Sequence, residues 1–226
     1  MKLSDRLFAC ASLVQPGNPA VDIGTDHGYL PIYLLKNGIC PTVIAADLRE
    51  KPLQAARDNA ARFGVTDNIS FSLSNGLEKI PVESVRTIIC AGMGGDLIKE
   101  ILMNANETWT PEYQFILQPQ SAVHELREFL TNNGFEIKRE KLARDGRFVY
   151  SVMDVRYGEG RPTSLGQYFL PRYLKSDPLY GDYAHRVKTG ITQTIQNLRL
   201  AKTPQTGKLE YFQLALDEIL EMEAEA

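Results

Sequence analysis

Short apolar runs alternate with segments of helical periodicity through the first 132 residues of the chain. Continuous runs rich in Val, Ile and Ala are typical of buried strands, and apolar positions three and four apart are typical of helices. The predicted strands are 20–23, 42–46, 69–73, 85–91 and 115–117, and the predicted helices are 29–37, 50–63, 97–102 and 121–132. Strands that alternate with helices predict a parallel, doubly wound α/β sheet.

Two further segments flank this alternating region. Residues 135–142 and 148–155 each alternate in polarity, and the Arg144-Asp145-Gly146-Arg147 sequence between them predicts a tight hairpin turn. The hairpin adds antiparallel strands to the sheet. At the N-terminus, apolar residues from Leu3 to Val14 recur at helical spacing, which predicts an amphipathic helix packed on the domain.

The last third of the chain has a different pattern. Residues 157–176 are rich in Gly, Pro and Tyr and are interpreted as a linker with short turns. A helical stripe follows Asp177-Pro178, breaks at 203–207 and resumes, which predicts two antiparallel helices resembling a coiled coil. We therefore predict a domain over 1–156, and a linker with a C-terminal helical hairpin over 157–226.

Composition narrows the class of protein. Hydrophobic residues make up 43% of the 226 residues and charged residues 23%, which is typical of a soluble globular protein. No apolar run approaches the roughly 20 residues that span a membrane, and Asp5 and Arg6 interrupt any signal-peptide pattern. Three dispersed cysteines and three histidines favour buried thiols, a cytoplasmic location and no metal site.

Charge is unevenly distributed near the C-terminus. Residues 156–210 hold nine Lys and Arg against four Asp and Glu, whereas 211–226 hold five acidic residues and no basic ones. A basic segment before an acidic tail fits a nucleic-acid-binding surface, and a solvated helix face is the common alternative.

The chain is organised around residues 20–31, which predict a strand, a loop containing Gly24 and Gly28, and the start of a helix. Free N–H groups at that helix start suit an anionic ligand. A dinucleotide site requires G-x-G-x-x-G, but Asp26 and Tyr29 occupy glycine positions of that pattern, which disfavours a nicotinamide enzyme. An ordinary strand-to-helix turn is the alternative.

The form Asp-x-Gly-x-x-x-Gly resembles the first motif of class I S-adenosylmethionine (SAM) methyltransferases, in which Asp22 would orient the loop that holds the methionyl part of SAM. Asp47, after the second predicted strand, would accept hydrogen bonds from the ribose, and Asn75 would lie near the adenine. An exposed loop acid and a left-handed turn residue are the respective alternatives. The predicted cofactor-binding residues are Asp22, Gly24, Thr25, Asp26, His27, Gly28, Asp47, Leu48, Asn75, Gly76, Leu77, Ala91, Gly92 and Met93.

The motifs 22–31, 75–77, 92–95 and Gln118-Pro119 together resemble the bacterial tRNA (adenine-22, N1)-methyltransferase family, called TrmK, over nearly the whole chain. The sequence 92–95 replaces the Asn/Asp-Pro-Pro-aromatic motif of DNA adenine methyltransferases. The resemblance implies a class I SAM-methyltransferase fold, Rossmann-like, with a C-terminal coiled-coil hairpin. It also implies SAM as methyl donor and N1 of adenine-22 in the D-arm region of tRNA as acceptor.

The chemistry of that reaction requires few ionisable groups. The N1 lone pair attacks the methyl group directly, so the protein mainly aligns the reactants and excludes water. Asp26 is a candidate for stabilising charge on the adenine, Tyr29 for stacking on it, and Met93 for lining the methyl-transfer zone. Their alternatives are a loop-capping acid, a helix-packing residue and a tight glycine-rich turn.

An adenine inside folded tRNA has to leave its stack, at a cost of a few kcal/mol. Contacts from basic residues to phosphates would offset that cost, although each such residue alone fits a solvated surface charge. The predicted RNA-binding residues are Arg6, Arg144, Arg147, Arg172, Lys175, Arg186, Lys188, Arg199 and Lys202. We expect the C-terminal hairpin to grip the tRNA.

Two other functions fit parts of the sequence. A class I methyltransferase acting on a protein or small molecule would use the helical hairpin for dimerisation or partner binding. A non-catalytic RNA-binding scaffold would retain the fold alone, but the intact SAM loop argues against it. The oligomeric state stays open.

Overall fold

The computed structural model describes residues 1–225 and contains one seven-stranded sheet in the order β3-β2-β1-β4-β5-β7-β6. The strands are β1 (Ala20–Ile23), β2 (Val43–Asp47), β3 (Ile69–Leu73), β4 (Thr87–Met93), β5 (Gln114–Pro119), β6 (Phe135–Asp145) and β7 (Phe148–Tyr157). The helices are α1 (Asp5–Leu13), α2 (Tyr29–Lys36), α3 (Glu50–Phe63), α4 (Gly95–Met103), α5 (Val123–Asn132), α6 (Leu165–Phe169), α7 (Tyr180–Arg199) and α8 (Thr206–Ala224).

The predicted fold class is confirmed. Strands β1 to β5 are parallel, and β7 pairs antiparallel with both β5 and β6. The order reverses between β1 and β4, which is the switch point where ligands bind in sheets of this kind. Strands β4 to β7 run a few residues beyond the predicted bounds, because neighbouring strands extend their pairing past the apolar core.

Two local predictions are corrected. The turn between β6 and β7 consists of Gly146 and Arg147, because Asp145 still pairs with Phe148. The predicted linker contains α6 and a 3₁₀ helix over Arg172–Ser176, so it is more ordered than its composition indicates.

The C-terminal helices pack on the β6–β7 hairpin. α8 lies against both α6 and α7, and Leu142 of β6 and Val149 of β7 join the apolar cluster of α7 and α8. Helix α1 packs on the other face of these strands, where Leu13 and Cys10 are buried. The hairpin is therefore shared between the sheet and the C-terminal helices.

Candidate active site

A cleft of about 420 Å³ lies at the carboxyl ends of β1, β2 and β4. Parallel strands bring the residues that follow each of them to one edge of the sheet, so motifs far apart in the sequence meet here. Predicted site residues from three loops line the cleft: Asp22, Gly24, Thr25, Asp26, His27, Tyr29, Asp47, Ala91, Gly92 and Met93.

The loop after β1 is fixed by backbone hydrogen bonds across to β2. The N–H groups of Gly24 and Thr25 donate to the Ala46 carbonyl at 2.8 and 2.9 Å. Gly24 has φ +72°, and a Cβ there would lie 3.1 Å from the Met93 methyl carbon, so the position favours glycine on two grounds. The loop therefore presents its backbone to the cleft.

Two carboxylates lie at the floor of the cleft. Asp22 and Asp47 are both buried, and Asp47 Oδ1 accepts from the Arg49 N–H at 2.9 Å. Burial, opposed by the nearby Thr25 hydroxyl and reinforced by the neighbouring Asp47 charge, raises the pKa of Asp22 to about 7. Thr25 Oγ1 lies buried beside the Asp22 carboxyl but makes no well-formed hydrogen bond among residues 1–225. A ligand with donor and cationic groups would satisfy this polar floor.

The outer lip of the cleft carries Asp26, His27 and Tyr29. Asp26 is a non-glycine residue with φ +50°, and its carboxylate lies 3.7 Å from His27 Nε2. Tyr29 is 41% exposed, and its ring centroid is 5.7 Å from that of His27. Tyr29 therefore lines the cleft with an exposed ring, and Asp26 beside it adopts a left-handed backbone conformation.

The end of β4 is bulged. Its register with β5 shifts between Ala91 and Met93, where Gly92 has φ +84°. Beyond the bulge, a Cβ on Gly95 would lie 2.5 Å from the Ala122 carbonyl oxygen. Within the glycine-rich sequence, Gly92 and Met93 therefore shape the cleft, whereas Gly95 allows α4 to pack closely against the residues before α5.

Five predicted cofactor-binding residues do not line the main cleft, and four of them follow β2 or β3. Asn75, Gly76 and Leu77 line a smaller adjoining cleft that shares Leu97 with the main one. Leu77 packs its side chain in the core, so it offers only its backbone. Leu48 is 66% exposed and does not line the main cleft, where Arg49 is found instead.

Gly28 is also placed differently from the prediction. It is buried beneath the cleft, and a Cβ on it would lie 2.9 Å from the Cβ of Ala56 in α3. The packing of α2 on α3 explains this glycine without a ligand. The loop between β1 and α2 is also held against α3, because the side-chain amide of Asn59 donates to the His27 carbonyl at 3.0 Å.

Arg6, predicted to bind RNA, lies in the cleft itself. Its Nη1 donates to Gln118 Oε1 at 2.6 Å, and its Nε donates to Asp145 Oδ2 at 3.3 Å. Both partners lie more than 100 residues away in the sequence, so no local pattern reveals this placement. Helix α1 therefore forms one wall of the cleft.

Several other predicted RNA-binding residues have intramolecular partners. Lys188 pairs with Glu223 at 2.7 Å and Arg172 pairs with Glu225 at 2.5 Å. Lys175 donates to the Met222 carbonyl at 3.0 Å, and Arg144 pairs with Asp182. The acidic end of α8 thus lies on the basic segment, which weakens that segment as a phosphate-binding surface. Arg147, Arg186, Arg199 and Lys202 have no carboxylate partner within the described part of the chain.

Metal sites and membrane-spanning helices find no support in residues 1–225. Within residues 1–225, no group of three or more His, Cys, Asp and Glu side chains could hold a metal ion. Across the same residues, none of the helices combines the length and apolarity needed to cross a membrane. Cys10, Cys40 and Cys90 are buried, and burial raises the pKa of each thiol to about 12.

Known proteins with similar sequences are methyltransferases. Residues 3–153 match a methyltransferase-domain family model. The tRNA (adenine(22)-N(1))-methyltransferase of Bacillus subtilis is 31% identical over 159 residues, which cover 70% of this chain and 67% of that protein.

Solved structures extend the similarity to the C-terminal helices. The crystal structure of the B. subtilis m1A22 tRNA methyltransferase TrmK has a TM-score of 0.86 at 26% identity, covering 97% of this chain and 98% of that one. Streptococcus pneumoniae Sp1610, solved in complex with S-adenosyl-L-methionine, has a TM-score of 0.81 at 28% identity, covering 95% and 100%. The chain therefore belongs to the methyltransferase-domain family and, within it, to the family of tRNA (adenine(22)-N(1))-methyltransferases.

Proposed function

We propose that this protein is a SAM-dependent tRNA methyltransferase that transfers a methyl group to N1 of adenine-22 in the D-arm region of bacterial tRNA. The observation that carries this function is the cleft at the sheet switch point, where the Gly24 loop, two buried carboxylates and the β4 bulge meet. The family relationship identifies the cofactor and the acceptor. A protein or small-molecule acceptor has no comparable support.

The residues present fit SAM. Thr25 Oγ1 is buried without a well-formed hydrogen bond in residues 1–225, and Gly24, at φ +72°, presents its backbone to the cleft. Asp22 and Thr25 would hold the cationic amino-acid end, and Asp47 would accept from the ribose hydroxyls. Asn75 and the backbone beside it would border the adenine. When bound, SAM supplies an electrophilic methyl group.

The chain's own residues then have to position the target base. Adenine N1 carries its own lone pair, so no side chain has to remove a proton before transfer. Asp26 lies at the open lip, where its carboxylate would stabilise the positive charge that develops on the base. Tyr29 beside it offers an exposed ring for stacking. Met93 would line the methyl-transfer zone between cofactor and base.

Two coarser features of the organisation accompany this function. We propose that residues 1–156 form the catalytic domain and that 157–226 form a linker and helical hairpin that contact tRNA. We also propose a cytoplasmic enzyme, because its substrate is tRNA and its cysteines are buried thiols.

The direct test is methyl transfer from labelled SAM to an unmodified tRNA transcript, followed by nucleoside mass spectrometry. We expect N1-methyladenosine from the natural transcript and none from a transcript in which adenine-22 is replaced by guanine. An Asp26→Asn variant should transfer methyl at least 10-fold more slowly at saturating SAM. N1-methyladenosine that persists in the guanine-22 transcript would disprove the site, and no product at all would disprove the reaction.

A further inference from the structure

The tip of the β6–β7 hairpin carries an exposed cluster of aromatic and arginine side chains. Phe148 is 40% exposed directly after the turn, and Tyr150 follows on the same face of β7, with ring centroids 6.2 Å apart. The Arg147 guanidinium lies 4.9 Å from the Phe148 ring centroid. The Arg186 guanidinium, from α7, lies 5.6 Å from Phe148 and 5.7 Å from Tyr150. These four residues are called the hairpin platform.

The hairpin platform carries positive charge. Neither Arg147 nor Arg186 forms an ion pair with another residue in 1–225. The neighbouring cation Arg144 is neutralised by Asp182, and Asp145 is engaged by Arg6. The two arginines of the platform therefore stay uncompensated, which suits a polyanion.

The hairpin platform adjoins the acceptor side of the cleft. Asp145 pairs with Phe148 across the turn and accepts from Arg6, which lines the cleft. On its other side Arg186 donates to the Val149 carbonyl at 2.9 Å and so ties α7 to the hairpin. The platform lies between the methyl-transfer cleft and the C-terminal helices.

The chemistry of the platform matches an unstacked nucleotide. An adenine that leaves its stack exposes the faces of its neighbours, which lose a stacking partner. Aromatic rings and guanidinium planes can replace that partner, and each base stacked on an aromatic side chain contributes about 1–3 kcal/mol to binding. A phosphate beside that base would meet Arg147 or Arg186.

We propose that the hairpin platform stacks an unpaired base of the tRNA next to the methylated adenine, with Phe148 as the stacking ring and Arg147 and Arg186 as phosphate contacts. This inference rests on the proposed tRNA substrate. It assigns substrate recognition to the hairpin tip, in addition to the helices of the C-terminal segment.

The first measurement is the dissociation constant for an unmodified tRNA transcript, by fluorescence anisotropy. We expect Phe148→Ala to weaken binding about 5-fold to 100-fold, the range that corresponds to one lost stacking contact. Phe148→Trp should restore affinity, and its indole fluorescence should be quenched when tRNA binds. Phe8→Ala is the matched control, because Phe8 is 53% exposed on α1, does not line the cleft and has no guanidinium over its ring in the described residues.

A second variant separates charge from stacking. Arg147→Ala should lower the slope of log affinity against log salt by about one phosphate contact, whereas Phe148→Ala should weaken binding without changing that slope. SAM affinity should stay unchanged in both, because neither residue lines the cofactor cleft.

Two outcomes would overturn the proposal. If Phe148→Ala binds tRNA like the Phe8→Ala control but unfolds at lower urea, the cluster serves only to hold the hairpin together. If Phe148→Trp binds tRNA without quenching, no base stacks there. Both measurements use binding alone, so they are independent of methyl transfer, and a failure of the proposed reaction would instead appear as wild-type protein that forms no N1-methyladenosine.

Discussion

Buried polar groups occur in two regions of the molecule, and their partners differ. In the cofactor cleft, Thr25 Oγ1 is buried with no partner in residues 1–225, and the buried Asp22 carboxyl has its pKa raised to about 7. Beneath the C-terminal helices, the side chain of Glu140 is fully buried. It accepts from Arg127 Nη2 at 2.6 Å, from Tyr173 at 2.6 Å and from Ser151.

This comparison distinguishes polar groups that bind from polar groups that support the fold. A buried donor or acceptor without a partner is costly, and where such an atom lines an open cleft, as at Thr25, a ligand can satisfy it. The network around Glu140 instead gives its polar groups partners within the protein, with Arg127 Nε the exception in residues 1–225, and such a network fixes the arrangement of the elements that contribute to it. Arg127 also donates to the Tyr168 carbonyl at 2.6 Å and to the Tyr183 hydroxyl at 3.0 Å, so it links α5 to α6 and α7.

The largest effect should come from breaking the buried pair of Arg127 and Glu140. Glu140→Ala leaves the guanidinium buried without its carboxylate, and we expect a loss of about 3–5 kcal/mol in the free energy of unfolding. Urea denaturation followed by circular dichroism measures it. Lys188→Ala is the matched control, because its pair with Glu223 is about one third exposed and should contribute no more than ~1 kcal/mol.

A double variant sharpens this test. Arg127→Met with Glu140→Leu removes both charges and keeps comparable volume, so it should recover more than half of the stability that Glu140→Ala loses. Equal losses for Glu140→Ala and Lys188→Ala would show that the buried pair contributes no more than a surface pair.

The cofactor cleft should respond in binding rather than in stability. Asp47→Asn keeps the shape of the side chain and its acceptor for the Arg49 N–H, but removes the charge offered to the ribose hydroxyls. Hydrogen bonds to charged groups contribute ~1.5–3 kcal/mol, so the dissociation constant for SAM should rise about 10-fold to 100-fold in calorimetry. Asp67→Asn, an exposed acid outside the cleft, should bind SAM like the wild type. Unchanged affinity in Asp47→Asn would remove Asp47 from the site.

The same contrast explains how much the sequence could predict. The cofactor side is encoded in short local motifs, because each strand and the loop after it are contiguous, and Asp22, Asp47 and Met93 all line the cleft. Arg6 and the Arg127–Glu140 pair depend on contacts across the sheet, and periodicity carries no information on such partners. The sequence shows the acidic tail, but it contains no signal for the pairing of that tail with Lys188.

Asp22 gives the cleft a pH dependence. Its pKa of about 7 in the folded protein lies above the usual value, so below pH 7 a proton has to leave before the carboxylate can face a cationic ligand. The affinity for SAM should therefore rise with pH by up to about 10-fold per unit between pH 5.5 and 7 and level off above. In the free protein, rising pH has the opposite effect on stability. The free energy of unfolding should fall as the pH rises from about 4 to 7, because the folded state still binds the Asp22 proton that the unfolded state has released.

Calorimetric titrations at several pH values check this dependence. Asp22→Asn is the control, since any slope that remains in that variant belongs to SAM or to other groups. A wild-type slope equal to that of Asp22→Asn would show that Asp22 does not titrate in this range.

The smallest effect concerns the acidic end of α8. Glu223→Gln with Glu225→Gln frees Lys188 and Arg172 from their partners, so two more cations become available to phosphates. We expect tRNA binding to tighten about 2-fold to 5-fold at 50 mM salt and to approach the wild-type value at 300 mM, because salt screens exposed charges.

Glu83→Gln with Glu107→Gln changes the net charge equally at exposed positions outside the basic segment, in the short 3₁₀ helices over Val82–Ser84 and Asn106–Thr108. If that control tightens binding as much as the α8 variant does, the gain reflects net charge alone. A gain confined to Glu223→Gln with Glu225→Gln would mean that the acidic tail covers part of the RNA-binding surface. Surface ion pairs in the C-terminal helices would then limit substrate affinity, whereas the buried pair beneath them sets stability.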